Sequence, residues 1–401
     1  MRVLVSGASV AGPVLAYWLT RYGHDVTVVE RSPVLRKTGG HAVDLFKPAM
    51  DISERMGVLP RIEALATGTT RLTYLREGTR KPISADVTKL FAAASDRHVE
   101  VMRDDLSEIY YDATRADVEY VFGDSITSIG DEVSFEAGAA RRFDLVIGAD
   151  GLHSNVRRLV FGEVDKTFVG AYLAVLSVPK DLGVPGEMTG HIGPGRSVAV
   201  YGARHLDDAR AVFLFRSPEL SYHHRDVARQ KELLRGAFAS LHPEVDSWLE
   251  HLDGDGAFYF DSITQLREDT WSRGRVALVG DAAYCPGPAI GGSTSLAVLG
   301  AYVLAGELCA GSDHEAAFAR YEHEMRDIVH RSRAFALGVA KTLIPSTRLG
   351  VSALVRGAQL LTSLPSWVVR PVAKLNSKGM RMHDSMHVKN YESQGAGVPA
   401  P

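Results

Sequence analysis

The sequence predicts an α/β protein: a Rossmann-like nucleotide-binding domain with an inserted, mostly antiparallel β-sheet domain and a helical C-terminus. Three observations predict it. The chain opens with VSGASVAGPVLAYWLTRYGHDVTVVER, which alternates strand, turn, helix and strand. Two later apolar strands run into glycine-rich turns that carry Asp150 and Asp281. Between those two, from about 167 to 259, short strand-like segments are separated by Gly/Pro turns.

Each element has a local reason. Arg2 to Ser6 is a short apolar run and reads as a buried strand. Gly7 supplies a tight turn. Val14, Leu15, Trp18 and Leu19 recur at helical spacing, and Asp25 to Glu30 is again strand-like and ends on an acid. Gly7-Ala8-Ser9-Val10-Ala11-Gly12 has the spacing of a dinucleotide fingerprint, with Ser9 where the middle glycine is expected. The helix start offers free N–H groups to a pyrophosphate. Gly12 allows helix and sheet to approach, and Pro13 is tolerated in a first turn that needs no donor from it. The small Ser9 has a hydroxyl that can donate to a phosphate oxygen. Glu30 stands where an acid bonds ribose hydroxyls. This turn alone does not separate NAD from FAD.

Farther along, RKTGGHAVDLF reads as a loop, with Gly39 and Gly40, leading into a strand. Residues 71–82 and 99–103 read as strand material, 104–116 as a helix, 118–143 as strands and turns, and 144–147 as a buried strand. A helix is expected near 230–240 inside the β-rich part, and helices again from about Ser293, over 313–341 and in parts of 351–375, broken by Pro345, Pro365 and Pro371. The tail 393–401 is expected to be disordered.

The bulk numbers narrow the function classes. A length of 401 residues suffices for two or three domains. A net charge of −3, from 45 basic and 48 acidic residues, argues against nucleic-acid and anionic-membrane partners. The N-terminus is a strand rather than a signal peptide, and no uncharged apolar run reaches about 18 residues, so a cytoplasmic protein is expected. Cys285 and Cys309 make neither a disulfide framework nor a metal-ligand spacing, and no metal is expected.

Glu30, Asp150 in GADGLHSNVRR and Asp281 in GRVALVGDAAYCPGP all fall at strand ends, in that order. This trio resembles the class A flavoprotein aromatic monooxygenases, the para-hydroxybenzoate hydroxylase-like group, over about the first 335 residues. Within the group, the opening and the Asp281 segment are most similar to the branch of actinomycete polyketide hydroxylases and tetracycline-inactivating monooxygenases. The resemblance implies FAD as cofactor. Gly7, Ser9, Val10, Ala11 and Gly12 would then cradle its pyrophosphate, and Glu30 with Arg31 its adenosine ribose. Arg103 occupies the place of a cofactor-binding arginine, and Asp281 would bond the ribityl chain. Asp150, Gly151 and Arg157 resemble the motif that serves both FAD and NADPH. Gly291, Gly292 and Ser293 would start a helix whose positive end meets the flavin pyrimidine. This chain departs from the pattern at Ser9, at Gly291-Gly292-Ser293-Thr294-Ser295 in place of Gly-x-Gly-x-Asn, and at Tyr284 in place of a frequent histidine.

The implied domains are 1–70, 98–166 and 262–335 for FAD, 71–97 and 167–261 for the β-rich substrate domain, and 336–392 for the C-terminal helical segment. No second fingerprint follows a strand, so NADPH (or NADH) would dock transiently on the FAD domain. The implied reaction moves one oxygen atom from O₂, through a flavin C4a-(hydro)peroxide, into an aromatic or polyketide-like molecule. The outcome is open among hydroxylation, epoxidation and Baeyer–Villiger insertion. The chemistry is flavin-borne, with His41 the one candidate base. His41, Tyr201, Phe213, Phe215 and Pro288 are candidate pocket residues, with core packing the alternative for Tyr201, Phe213 and Phe215. In the relatives a C-terminal helix bridges the domains, and Ala334 to Leu375 offers the segment for it; an interfacial helix is the alternative. The rival functions are a cyclase or isomerase that keeps FAD as a scaffold, and a non-catalytic binder of aromatic drugs. Flavin-dependent halogenation is set aside, because no two tryptophans have its Trp-x-Trp spacing.

Overall fold

A computed structural model of the protein describes residues 1–35, 40–86, 88, 95, 97–287, 292–311, 313–363 and 388–391. The opening run folds as β1 (Arg2–Ser6), the helix Ala11–Arg21 and β2 (Asp25–Glu30). Val3, Leu4 and Val5 are all fully buried, as expected of a parallel strand covered on both faces. The helix ends at Tyr22, and Gly23 takes the left-handed conformation that closes such ends.

The first sheet adds β7 (Glu119–Phe122), β10 (Leu145–Gly148), β16 (Ser272–Arg273) and β17 (Val276–Leu278), in the order β16-β17-β10-β1-β2-β7. All its pairs are parallel except the edge pair β16–β17. Two ribbons flank it: β3 (Ala42–Phe46) with β6 (His98–Met102), and β8 (Ile126–Ile129) with β9 (Val133–Phe135). The helices Lys47–Arg55 and Leu59–Ala64 each have a proline in the first turn.

The second sheet has the order β15 (Phe258–Leu266), β11 (Lys166–Pro179), β14 (Asp208–Arg216), β13 (Arg196–Tyr201), β12 (Glu187–Gly193), β4 (Arg71–Arg76) and β5 (Ile83–Asp86). It is antiparallel except where β12 meets β4. Its two faces have different fates. On the outer face, Tyr172, Val198, Val200, Phe213 and Phe215 pack against Leu234, Phe238 and Trp248 of the helices Val227–Phe238 and Pro243–Glu250. On the inner face, Ala171, Leu173, Val175, Val212 and Leu214 share a cluster with Ala336 of the helix His314–Leu343 and with Ile344.

The C-terminal helix Arg348–Ser363 lays Val351 and Val355 against Ile192, Tyr74 and Ile83 of the second sheet, and Arg76 Nη1 donates to Ser352 Oγ at 3.0 Å. The segment 388–391 returns to the first sheet's side. There the buried Tyr391 donates to Glu307 Oε1 at 2.7 Å, and its ring occupies the place a Cβ on Gly306 would take. Among the described residues, no helix is long and apolar enough to cross a membrane.

Candidate active site

Glu30, Asp150 and Asp281 stand at or just past the carboxyl ends of β2, β10 and β17, which are neighbours of one sheet or flank β1 in it. In open α/β sheets that edge is where ligands bind. The first turn is built by absence of side chains. Gly7 has a φ of 109°, and a Cβ on it would lie 2.5 Å from Ala149 O. A Cβ on Gly12 would lie 1.9 Å from Gly7 O. Ala8 N donates to Glu30 Oε2 at 3.0 Å and Ser32 N to Glu30 Oε1 at 2.9 Å, so the turn and the acid hold each other. Val10 and Ala11 are buried at the helix start, and Arg31 is exposed beside Glu30.

Ser9 has a definite task. Arg103 Nη2 donates to Ser9 Oγ at 3.1 Å, and Ser9 Oγ lies 3.3 Å from Ser107 Oγ. The hydroxyl that replaces a glycine thus anchors the arginine beside the turn. Ser107 carried no signal in the sequence, since one serine on a helix face looks like any other.

Asp150 caps the helix Asn155–Val160 from outside it. It accepts from Ser154 Oγ at 2.5 Å, Asn155 N at 2.9 Å and Val156 N at 3.1 Å. Burial pushes its carboxyl up, and these donors pull against that rise. Arg157 is 4% exposed. It donates to Ala282 O at 2.8 Å and to Leu152 O at 2.5 Å, tying the Asp150 turn to the Asp281 turn. Asp281 accepts from the Ser293 hydroxyl; burial raises its pKa, while Ser293 and the Arg103 charge act the other way.

Two long helices begin at this edge without a side-chain cap or an acid in the first turn: Ala11–Arg21, and Ser293–Cys309 after the left-handed Gly292. The helices starting at Asn155, Val227, Pro243 and His314 are capped by Ser154, Asp226, His242 and Asp313. Open N–H groups beside a Cβ-free turn and an acid fit a dinucleotide with its negative phosphates.

His41 is half-buried between the two sheets. Its carbonyl accepts from Arg103 N at 3.2 Å, and its ring lies 6.2 Å from that of Tyr259. Desolvation, then the Arg103 charge, pull its pKa down to about 4, a poor match for a base working near neutrality. Tyr201 is buried, and its hydroxyl accepts from Ala42 N at 2.7 Å, joining the second sheet to β3.

Phe213 and Phe215 need correction as pocket residues. Both face the outer helices, with the Phe213 and Phe238 ring centroids 5.0 Å apart. A strand alternates faces, so the inner positions of β14 are Val212 and Leu214. Pro288, Gly291 and Gly39 lie outside the described residues. His191, His242 and Glu244 bring potential metal-ligand atoms within 4.8 Å of one another. They lie on the outer face, where the two rings stack at 4.1 Å and His191 Nε2 is hydrogen-bonded to Glu244 Oε2 at 2.8 Å.

The family of FAD-binding domains matches residues 1–336 of the chain. A flavin-dependent monooxygenase of Legionella longbeachae is 36% identical over 352 residues, covering 86% of this chain and 90% of its own. The chain belongs to the class A flavin-dependent monooxygenases. This monooxygenase is also 44% identical over 346 residues to an uncharacterized protein of Mycobacterium tuberculosis, covering 82% of this chain and 91% of that one. It superposes on the crystal structure of the tetracycline destructase Tet(55) with a TM-score of 0.81 and 32% identity, over 97% and 98% of the two chains. FAD is the cofactor that the family and the uncapped, glycine-built edge agree on.

Proposed function

We propose that this monooxygenase consumes NADPH or NADH to insert one atom of O₂ into a planar aromatic, polyketide-like molecule held between the two sheets. The observation that carries the reading is the inner face of the second sheet. Tyr74, Val212, Leu214 and Tyr259 share that face and are only half-buried, because the helices His314–Leu343 and Arg348–Ser363 cover it in part. An apolar strip only partly covered by these helices suits an apolar, flat guest.

In this reading the turn from Gly7 to Gly12 holds the pyrophosphate of FAD, with Arg103 steadied beside it by Ser9. Glu30 and Arg31 hold the adenosine ribose, and Asp281 the ribityl chain. Asp150 and Arg157 set the shape of the edge from beneath, and the helix from Ser293 turns its positive end toward the flavin pyrimidine. When bound, FAD supplies the redox chemistry, accepting a hydride from the nicotinamide and activating O₂. The protein excludes water, fixes the substrate's distance and adds no fixed charge at His41. The nicotinamide nucleotide docks on the same unit, as the sequence holds no second fingerprint in strand context. The described residues of 71–86 and 167–261 form the roof in this arrangement. The destructase likeness favours a substrate of fused rings.

The test is to purify the protein, record its visible spectrum, and follow NADPH consumption over a panel of aromatic polyketides, tetracycline included, with product masses. NADPH oxidation with a product heavier by one oxygen atom supports the proposal. Conversion without NADPH oxidation identifies a cyclase or isomerase, and stoichiometric binding without turnover identifies a sequestering protein.

A further inference from the structure

Tyr259 meets the cofactor edge from the opposite sheet. It pairs with Val175 across β15 and β11, which puts it on the inner face, while Phe258 and Phe260 on either side turn to the outer helices. Across the cleft is His41, whose ring is tilted by 36° at 6.2 Å. Burial, then the charge of Asp261, keep its phenol protonated, and the fields of Arg103 and Asp281, which border the two cofactor turns, also reach it. The phenol and the imidazole therefore face each other as neutral groups. The hydroxyl of Tyr259 has no hydrogen-bond partner among the described residues, unlike Tyr201 and Tyr172, which accept from Ala42 N and Leu220 N. A half-buried tyrosine hydroxyl ordinarily finds a partner in the protein, in water or in a ligand. One that faces a cleft without a partner is a donor waiting for a ligand acceptor.

We infer that Tyr259 is a positioning residue for oxygen transfer: its ring and that of His41 together form one wall of the aromatic substrate's site, and its hydroxyl donates to a carbonyl or phenolic oxygen of that substrate. The inference rests on the monooxygenase reading above and adds that the substrate carries an oxygen acceptor on its ring system. Its consequence is a division of labour. The first sheet binds FAD whether or not Tyr259 is present, and Tyr259 decides where the substrate lies. A substrate left loose lets the two electrons from each NADPH end in hydrogen peroxide rather than in product and water.

The experiment uses FAD-loaded wild type, Tyr259→Phe and Tyr259→Ala. FAD affinity is measured first. Each protein is then titrated with tetracycline, 1-naphthol and naphthalene, following flavin fluorescence excited in the visible. Hydrogen peroxide formed per NADPH is measured with tetracycline. Tyr259→Phe is expected to keep wild-type FAD affinity, to bind tetracycline and 1-naphthol about tenfold more weakly, and to bind naphthalene unchanged. Tyr259→Ala is expected to weaken all three and to raise the peroxide fraction, with Tyr259→Phe in between. Equal affinities of wild type and Tyr259→Phe for the oxygenated probes overturn the inference. So does a fall in FAD affinity in Tyr259→Phe, which assigns the hydroxyl to the cofactor, and so does a wild type that binds none of the probes. A wild type that takes up no FAD sinks the monooxygenase reading instead, so the two failures are distinct.

Discussion

The two sheets reach the space between them by different means. The first presents strand ends, where backbone N–H groups, turns and acids gather, and Gly7 and Gly12 leave no room for a Cβ. The second presents one face, where every other side chain points inward and the backbone is used up in strand pairing. The first edge is therefore specified by a few residues at set positions, and tolerates almost no change there. The second is specified by a pattern, and tolerates change at the cost of a different substrate.

That contrast can be broken at four points, from the largest expected effect to the smallest. Phe213→Ala empties a fully buried site between β14 and Phe238. It is expected to cost about 3–5 kcal/mol in denaturant unfolding, with the substrate profile of the surviving folded enzyme unchanged. A changed profile would place Phe213 in the pocket after all. Gly12→Ala forces a methyl against the Gly7 carbonyl. A cost of about 1–3 kcal/mol is expected, together with loss of bound FAD that added FAD does not restore. Retention of the yellow colour would show that the turn can yield.

His41 tests how neutral the meeting point is. Its folded pKa is pulled from 6.5 to about 4, so the unfolded chain binds the proton first as pH falls. The stabilising contribution of the neutral ring is whole above pH 6.5 and is lost as pH drops toward 4, at up to about 1.4 kcal/mol per pH unit. His41→Asn is expected to flatten that part of the stability curve, and an unchanged slope between the two proteins counts against a desolvated imidazole. Leu214→Ala, one residue from Phe213 but on the inner face, is expected to cost about 1 kcal/mol or less, since Leu214 is only partly buried. It should change KM for fused-ring substrates while leaving flavin reduction without substrate as in wild type. If Leu214→Ala and Phe213→Ala instead behave alike, the two-faced description of β14 fails.

Legibility followed the same divide. The βαβ opening was readable because its apolar strands, helical period and glycine spacing each stand next to one another in the chain. Glu30, Asp150 and Asp281 were readable because a buried strand that ends on an acid is a local pattern. Phe213 and Phe215 were misassigned because β14 has apolar residues on both faces, Val212 and Leu214 inward, Phe213 and Phe215 outward. When both faces are covered, alternation of polarity vanishes, and size alone pointed to the wrong pair. Ser107 and Tyr259 were invisible for another reason: each matters through a neighbour about a hundred residues or more away, Ser9 for one and His41 for the other.

By itself, the sequence determined the α/β class, the cofactor turn and the acids at the strand ends, because short-range sterics and periodicity decide these within a few residues. Only the tertiary structure decided that Ser9 serves Arg103, that Arg157 is buried between two turns, and which face of the second sheet the helices Val227–Phe238 and Pro243–Glu250 cover. Those are questions of which distant segment covers which face, and that is settled by packing the whole chain at once.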